Sequence, residues 1–150
     1  MISTVIFDMN QIIYRSLSFK QRGQVKSEKL PIEAMPEAIE TFLSFYDQGC
    51  KIVIISSSGI QQSRDRLKFL LEQHGETKQE IDSILKNIDI LTMRYFGTKH
   101  SSDSWKKAME PYQNIDYIFE DGENKLEAAG QAARELGSDP ELYTSVEDFT

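Results

Sequence analysis

Thr4-Val5-Ile6-Phe7-Asp8-Met9-Asn10 opens with a short apolar run that stops at a carboxylate. A continuous apolar run of this length, with no polar alternation, describes a strand buried on both faces, as in a parallel sheet covered by helices. Asp8 then stands at the C-terminal edge of that strand, where open α/β sheets bind their ligands. It is read as a nucleophile or metal ligand, against the plainer reading of an aspartate that caps a turn.

The rest of the chain repeats this pattern. Lys51-Ile52-Val53-Ile54-Ile55 empties into Ser56-Ser57-Ser58-Gly59, Ile88 to Met93 reads as a third strand, and Tyr117-Ile118-Phe119 ends in Glu120-Asp121-Gly122. Leu142-Tyr143 is a short fifth strand. Helical spacing separates them. Ala38, Ile39, Phe42, Leu43 and Tyr46 follow Pro36 and close at Gly49, and residues 61–74 close at Gly75. Thr77-x-x-Glu80 is a capping box, residues 102–111 suit a short helix, and residues 124–136 form an Ala-rich one. Strands alternating with helices predict a Rossmann-like three-layer α/β/α fold with a mostly parallel sheet and right-handed crossovers. Asp8, Ser56 and Glu120-Asp121 would emerge at one edge. Residues 11–34 are mixed and polar, and read as a flap with little regular structure.

The chain of 150 residues, 39% hydrophobic, suits a single domain over 1–150. Its formal charge of -7 argues against broad adhesion to nucleic acid or an anionic membrane. A local basic flap remains conceivable from Arg15, Lys20, Arg22, Lys26 and Lys29, although such a run is more often a solvated loop. A single cysteine, Cys50, excludes an internal disulfide and a Cys-rich zinc site, and only His74 and His100 offer imidazoles. No apolar run approaches the roughly 18–20 residues of a membrane span, so a cytoplasmic, membrane-free protein is expected. His74, Trp105 and Cys50 are read as structural residues.

Phosphoryl transfer through a carboxylate needs a nucleophile, cations that neutralise the phosphate, donors for its oxygens, and an acid for the leaving group. Asp8 would attack, Ser56 would donate to a phosphate oxygen, a lysine after the third strand would add positive charge, and Glu120 and Asp121 would hold Mg2+ together with Asp8. A receiver domain uses similar groups but in another order, with its acidic pair after the first strand rather than the fourth.

V-I-F-D-M-N, I-I-S-S-S and I-F-E-D-G-E-N, in this order at strand ends, resemble the motifs of the haloacid dehalogenase (HAD) superfamily over nearly the whole chain. The resemblance implies a Mg2+-dependent phosphatase working through an aspartyl-phosphate at Asp8, with Asn10 offering a backbone carbonyl to the metal. Three lysines, Lys99, Lys106 and Lys107, lie in the stretch of the remaining motif. Asp103-Ser104-Trp105-Lys106, with Met93-Arg94 before it, resembles the phosphatase domain of polynucleotide kinases. Lys106 is therefore the expected catalytic lysine, and Ser57 and Lys99 are assigned to substrate binding. Only 47 residues separate Asp8 from Ser56 and 49 separate Ser56 from Lys106, too few for an independent cap. In the family, capless members act on bulky or macromolecular substrates or use a neighbouring subunit as a lid. The expected partner is thus a phosphorylated nucleic-acid end, protein or nucleotide, and an oligomer is compatible.

One departure stands out. Where the family pattern is Asp-x-Asp-Gly-Thr, the chain reads Asp8-Met9-Asn10-Gln11-Ile12. An amide cannot protonate a departing alkoxide, a loss worth roughly 10²–10⁴ in rate. Three readings fit: a phosphatase weakened or specialised for good leaving groups, a non-catalytic phosphate-binding or regulatory module, or an aspartate deliberately exchanged to trap a complex. Gln11 speaks against the last, since one such exchange would not also remove the glycine.

Overall fold

The computed structural model describes residues 2–18, 21, 23 and 30–150. Its centre is β1 (Thr4–Phe7), flanked by β4 (Lys51–Ser56) and β6 (Ile115–Phe119), with β5 (Asp89–Thr92) and β7 (Glu141–Tyr143) at the edges. All pairings in this five-stranded sheet are parallel, in the order β5-β4-β1-β6-β7. Residues 4–7 qualify for the centre because every one of their side chains is buried.

Alternate side chains of these strands feed two cores, which makes the three layers. Val5, Phe7, Ile52, Ile54 and Phe119 point to one face, packing with α1 (Ala38–Asp47), α2 (Ile60–His74) and α3 (Lys78–Asn87). Phe7 stacks on Phe119 at 4.9 Å between ring centroids and meets Phe42 of α1 at 5.7 Å. Ile6, Val53, Ile55 and Ile118 point to the other face, against α4 (Ser102–Met109) and α5 (Glu123–Glu135). A short α6 (Val146–Phe149), not anticipated from the sequence, returns to the first core through Val146 and Phe149. The expected α/β/α architecture is the one observed.

The helix ends follow their local chemistry. The Thr77–Glu80 capping box closes reciprocally, each side chain accepting the other's backbone N–H at 3.1 Å. Pro36 lies just outside α1, whose N-cap is Glu37.

The flap is more ordered than its composition implied. Within it, β2 (Tyr14–Ser16) and β3 (Ile32–Ala34) pair antiparallel as a separate two-stranded sheet. Ile12, Ile13, Tyr14 and Ile32 supply the reason: they are buried in the first core, so this stretch contributes apolar surface that its polar neighbours hide from a pattern search. Arg15 and Glu33 face each other across the pair at 2.6 Å, which satisfies the one described member of the expected basic flap. Lys20, Arg22, Lys26 and Lys29 lie outside the described residues. No separate cap domain is inserted among the described residues, and no described helix is long and apolar enough to cross a membrane.

Gln11 turns the chain away from β1 in the left-handed region, φ 67°, where its N–H donates to the Tyr14 carbonyl at 2.7 Å. A side chain in that region costs about 1–2 kcal/mol, which glycine avoids. Gln11→Gly is expected to gain about 0.5–1 kcal/mol, after allowing for the greater freedom of glycine in the unfolded chain. The midpoint of urea unfolding should rise at unchanged slope.

Candidate active site

Asp8 begins where β1 ends. Its backbone N–H donates to the Phe119 carbonyl at 2.9 Å, and the Glu120 N–H donates to the Tyr143 carbonyl at 3.1 Å, so both carboxylates leave the sheet at the same edge. Asp121 follows, exposed at the mouth. Oxygens of Asp8, Glu120 and Asp121 lie within 4.8 Å of one another.

Between the two buried carboxylates sits Lys99. Its Nζ donates to Asp8 Oδ1 at 2.7 Å and to Glu120 Oε2 at 2.6 Å, and the whole residue is 4% exposed. Asp8 Oδ1 also accepts the Met9 N–H at 2.8 Å, and the Asp121 carboxyl lies within hydrogen-bond reach of the Asp8 carboxyl. Glu120 Oε1 is buried and has no partner among the described residues. One ammonium thus serves two buried carboxylates. Burial drives the Glu120 carboxyl up to about 7, helped by the charge of Asp8 and opposed by Lys99. Burial likewise raises Asp8, against the lowering pull of Lys99.

The residues fit a divalent cation of the Mg2+ type. Three carboxylates converge as hard oxygen donors, the buried oxygen Glu120 Oε1 is without a partner among the described residues, and one lysine does not balance the cluster. Asn10 is exposed two residues beyond Asp8, its backbone bridged to Tyr14.

Ser56 ends β4, buried opposite Thr92. Its Oγ accepts the Ser58 N–H at 3.0 Å, and its own proton finds no acceptor among the described residues, so it can donate outward. Ser57 is exposed on the same loop and, with Lys99, borders a small recess.

The choice of lysine needs correcting. Lys106 projects from the outer face of α4, half-exposed, with its Nζ 3.7 Å from Glu135 Oε2, and is not brought to Asp8. Trp105, Ala108 and Met109 form the buried stripe of that helix, and Lys106 is off the stripe by one residue's rotation. That spacing was readable in the sequence. Lys99, assigned only to substrate, occupies the central position instead.

Lys99 is carried by a pinned loop. Gly97, at φ 131°, lies so close to α4 that an added Cβ would overlap Ser104 Oγ, the atom that accepts the Thr98 N–H at 3.1 Å. Trp105 Nε1 then donates to the Lys99 carbonyl at 2.7 Å, and its ring lies 5.5 Å from Nζ. Trp105 is therefore a positioning residue for the ammonium as well as a packing residue, a role its apolar helix face concealed. Tyr14 was also missed. Its hydroxyl accepts from Arg66 Nη1, whose guanidinium covers the ring at 5.2 Å.

No family model and no curated protein sequence matches the chain significantly. Solved structures do. The HAD domain of effector protein Lem4 from Legionella pneumophila superposes with a TM-score of 0.58 at 17% identity, over 96% of this chain and 86% of that one. A Thermotoga maritima protein assigned as a β-phosphoglucomutase gives 0.55 at 13% identity, over 94% of each chain. UTR4 protein from Saccharomyces cerevisiae gives 0.52 at 17% identity, over 81% of this chain and 50% of the yeast protein. The chain has the HAD-like fold.

Lys99→Met would leave two carboxylates buried without their cation. A loss of about 3–5 kcal/mol is expected at pH 8. The loss should be smaller at pH 5, where Glu120, raised to about 7, takes up a proton and sheds its charge. The native chain without metal should itself lose stability as pH climbs from about 4.5 through 7, because ionising Glu120 becomes part of the cost of folding. Urea titrations of both proteins at pH 5 and 8 check both. Trp105→Phe keeps an aromatic ring but orphans the Lys99 carbonyl. It should cost about 1–3 kcal/mol in the same titration.

Proposed function

We propose that the chain is a Mg2+-dependent phosphatase of the HAD type, acting on the phosphomonoester of a nucleotide or macromolecule through an aspartyl-phosphate at Asp8. The observation that supports it is the buried Lys99 ammonium shared by Asp8 and Glu120, with Asp121 beside them. Asp8, Glu120 and Asp121 would hold the cation, with Asn10 lending its carbonyl. When bound, Mg2+ supplies positive charge against the phosphate oxygens.

The residues divide the remaining work. Met9 N–H and Lys99 hold Asp8 by Oδ1, which leaves Oδ2 to attack phosphorus. The new Oδ2–P bond forms as the ester P–O bond breaks, and the electron pair leaves with the departing oxygen. Lys99 and the Ser56 hydroxyl offset charge gathering on the equatorial oxygens. Water then attacks the phosphorus of the acyl phosphate, which releases inorganic phosphate and restores the Asp8 carboxylate.

Protonation of the leaving oxygen is the step without an evident owner. Asn10 stands where the family carries its acid, and an amide does not give up a proton at neutral pH. Activity should therefore favour leaving groups that are stable as anions. This same residue favours a second reading, a module that binds phosphate and a metal without turnover.

Hydrolysis of an aryl phosphate with Mg2+, by the native chain, Asn10→Asp and the blank Asp8→Asn, separates the two. The enzyme reading expects native turnover above the blank. Asn10→Asp should add less than about tenfold on the aryl ester but about 10²–10⁴-fold on an alkyl phosphate. Silence of both the native chain and Asn10→Asp would leave the binding-module reading.

A further inference from the structure

Lys99 also borders a recess of about 190 Å³, together with Ser57, Arg94, Thr98, His100 and Lys125. Among the described residues no carboxylate borders it, in a chain of net charge -7. The ammonium of Lys99 is already committed to Asp8 and Glu120. Arg94 and Lys125 have no ion-pair partner among the described residues, although the chain has 24 acidic side chains to offer.

The placing of Lys125 is costly for local structure. It lies in the first turn of α5, where the helix dipole opposes a cation and favours the acid found at Glu123. Its stem folds back over Gly122, where an added Cβ would come within 3.1 Å of Lys125 Cδ, so glycine leaves the room for the lysine to return over the recess. Arg94 reaches the same space from the turn after β5, its N–H fixed by Thr92 Oγ1 at 3.4 Å. Two elements far apart in sequence thus bring unpaired cations to one recess, beside the lysine that touches Asp8. Such an arrangement is stabilised by an anion.

We infer that this recess seats a second phosphoryl group, so that the substrate carries another phosphate close to the one attacked at Asp8. This rests on the reading of Asp8 as the site of the first phosphoryl group. The volume is below the roughly 300–1,000 Å³ of a whole-ligand pocket and suits one anionic group and its linkage. Arg94 gives the flat, bidentate contact and Lys125 the mobile point charge that a phosphate dianion takes. The bland alternative, two solvated cations at a rim, predicts no dependence on phosphate spacing.

Alkanediol bisphosphates of two, four and six carbons, each against the alkyl monophosphate of the same length, test this without assuming the spacing. Binding is measured by calorimetry with Mg2+ present. At one spacing the native chain should bind the bisphosphate at least about tenfold more tightly than its monophosphate. Arg94→Gln with Lys125→Gln should reduce that ratio to about twofold or less, whereas Lys107→Gln, a charge loss on the exposed side of α4, should keep it. Equal affinities at every spacing, a ratio that survives the double variant, or an equal loss in Lys107→Gln would each overturn the inference. Because binding is read, a chain that prefers the bisphosphate yet hydrolyses neither ester would retain the recess and lose the phosphatase reading. Aryl phosphate turnover without any bisphosphate preference would do the reverse.

Discussion

A single buried ammonium organises this molecule's working edge. Lys99 lies between Asp8 and Glu120, two carboxylates that the parallel sheet delivers to the same place because β1 and β6 are neighbours in register. Taking three charges out of water is costly, and the attraction among them returns that cost only with tight geometry. The account does not balance here. Among the described residues one cation faces two buried carboxylates and an exposed third, Glu120 keeps an oxygen with no partner, and its carboxyl is driven up to about 7. A cluster left short of positive charge is a costly arrangement for stability alone.

Much of the surrounding structure reads as support for that ammonium. The loop that carries Lys99 is tied to α4 at Gly97, Ser104 and Trp105, and α4 is in turn packed against α5 and the second face of the sheet. The first face does comparable work for Asp8: Phe7 and Phe119, the residues just before the two carboxylates, stack in the centre of the aromatic cluster. Close packing on both faces holds these strand ends in place.

The turn after β1 shows a conflict between levels. Its backbone keeps a left-handed position at Gln11, a conformation suited to glycine, while the side chains at 10 and 11 are amides. Local strain retained by surrounding structure is a feature of functional turns. Here it shapes the turn by which the chain leaves Asp8.

The order of elements, the buried parallel sheet and the convergence of Asp8, Ser56, Glu120 and Asp121 at one edge could be read from periodicity and punctuation alone. Apolar runs ending in polar residues are local signals, and a parallel sheet aligns such ends automatically. The helices at 61–74 and 124–136 were legible for the same reason, as was the capping box at Thr77. What local pattern could not supply was decided by packing. The pair β2 and β3 exists because Tyr14 and Ile32 find a core contributed by α1 and α2, and no single stretch of sequence contains both partners. The selection of Lys99 over Lys106 is of the same kind. A lysine's charge is visible in sequence, but only the tertiary fold turns one ammonium inward between two carboxylates and the other outward to Glu135, because direction in space is set by the contacts of the whole helix and loop.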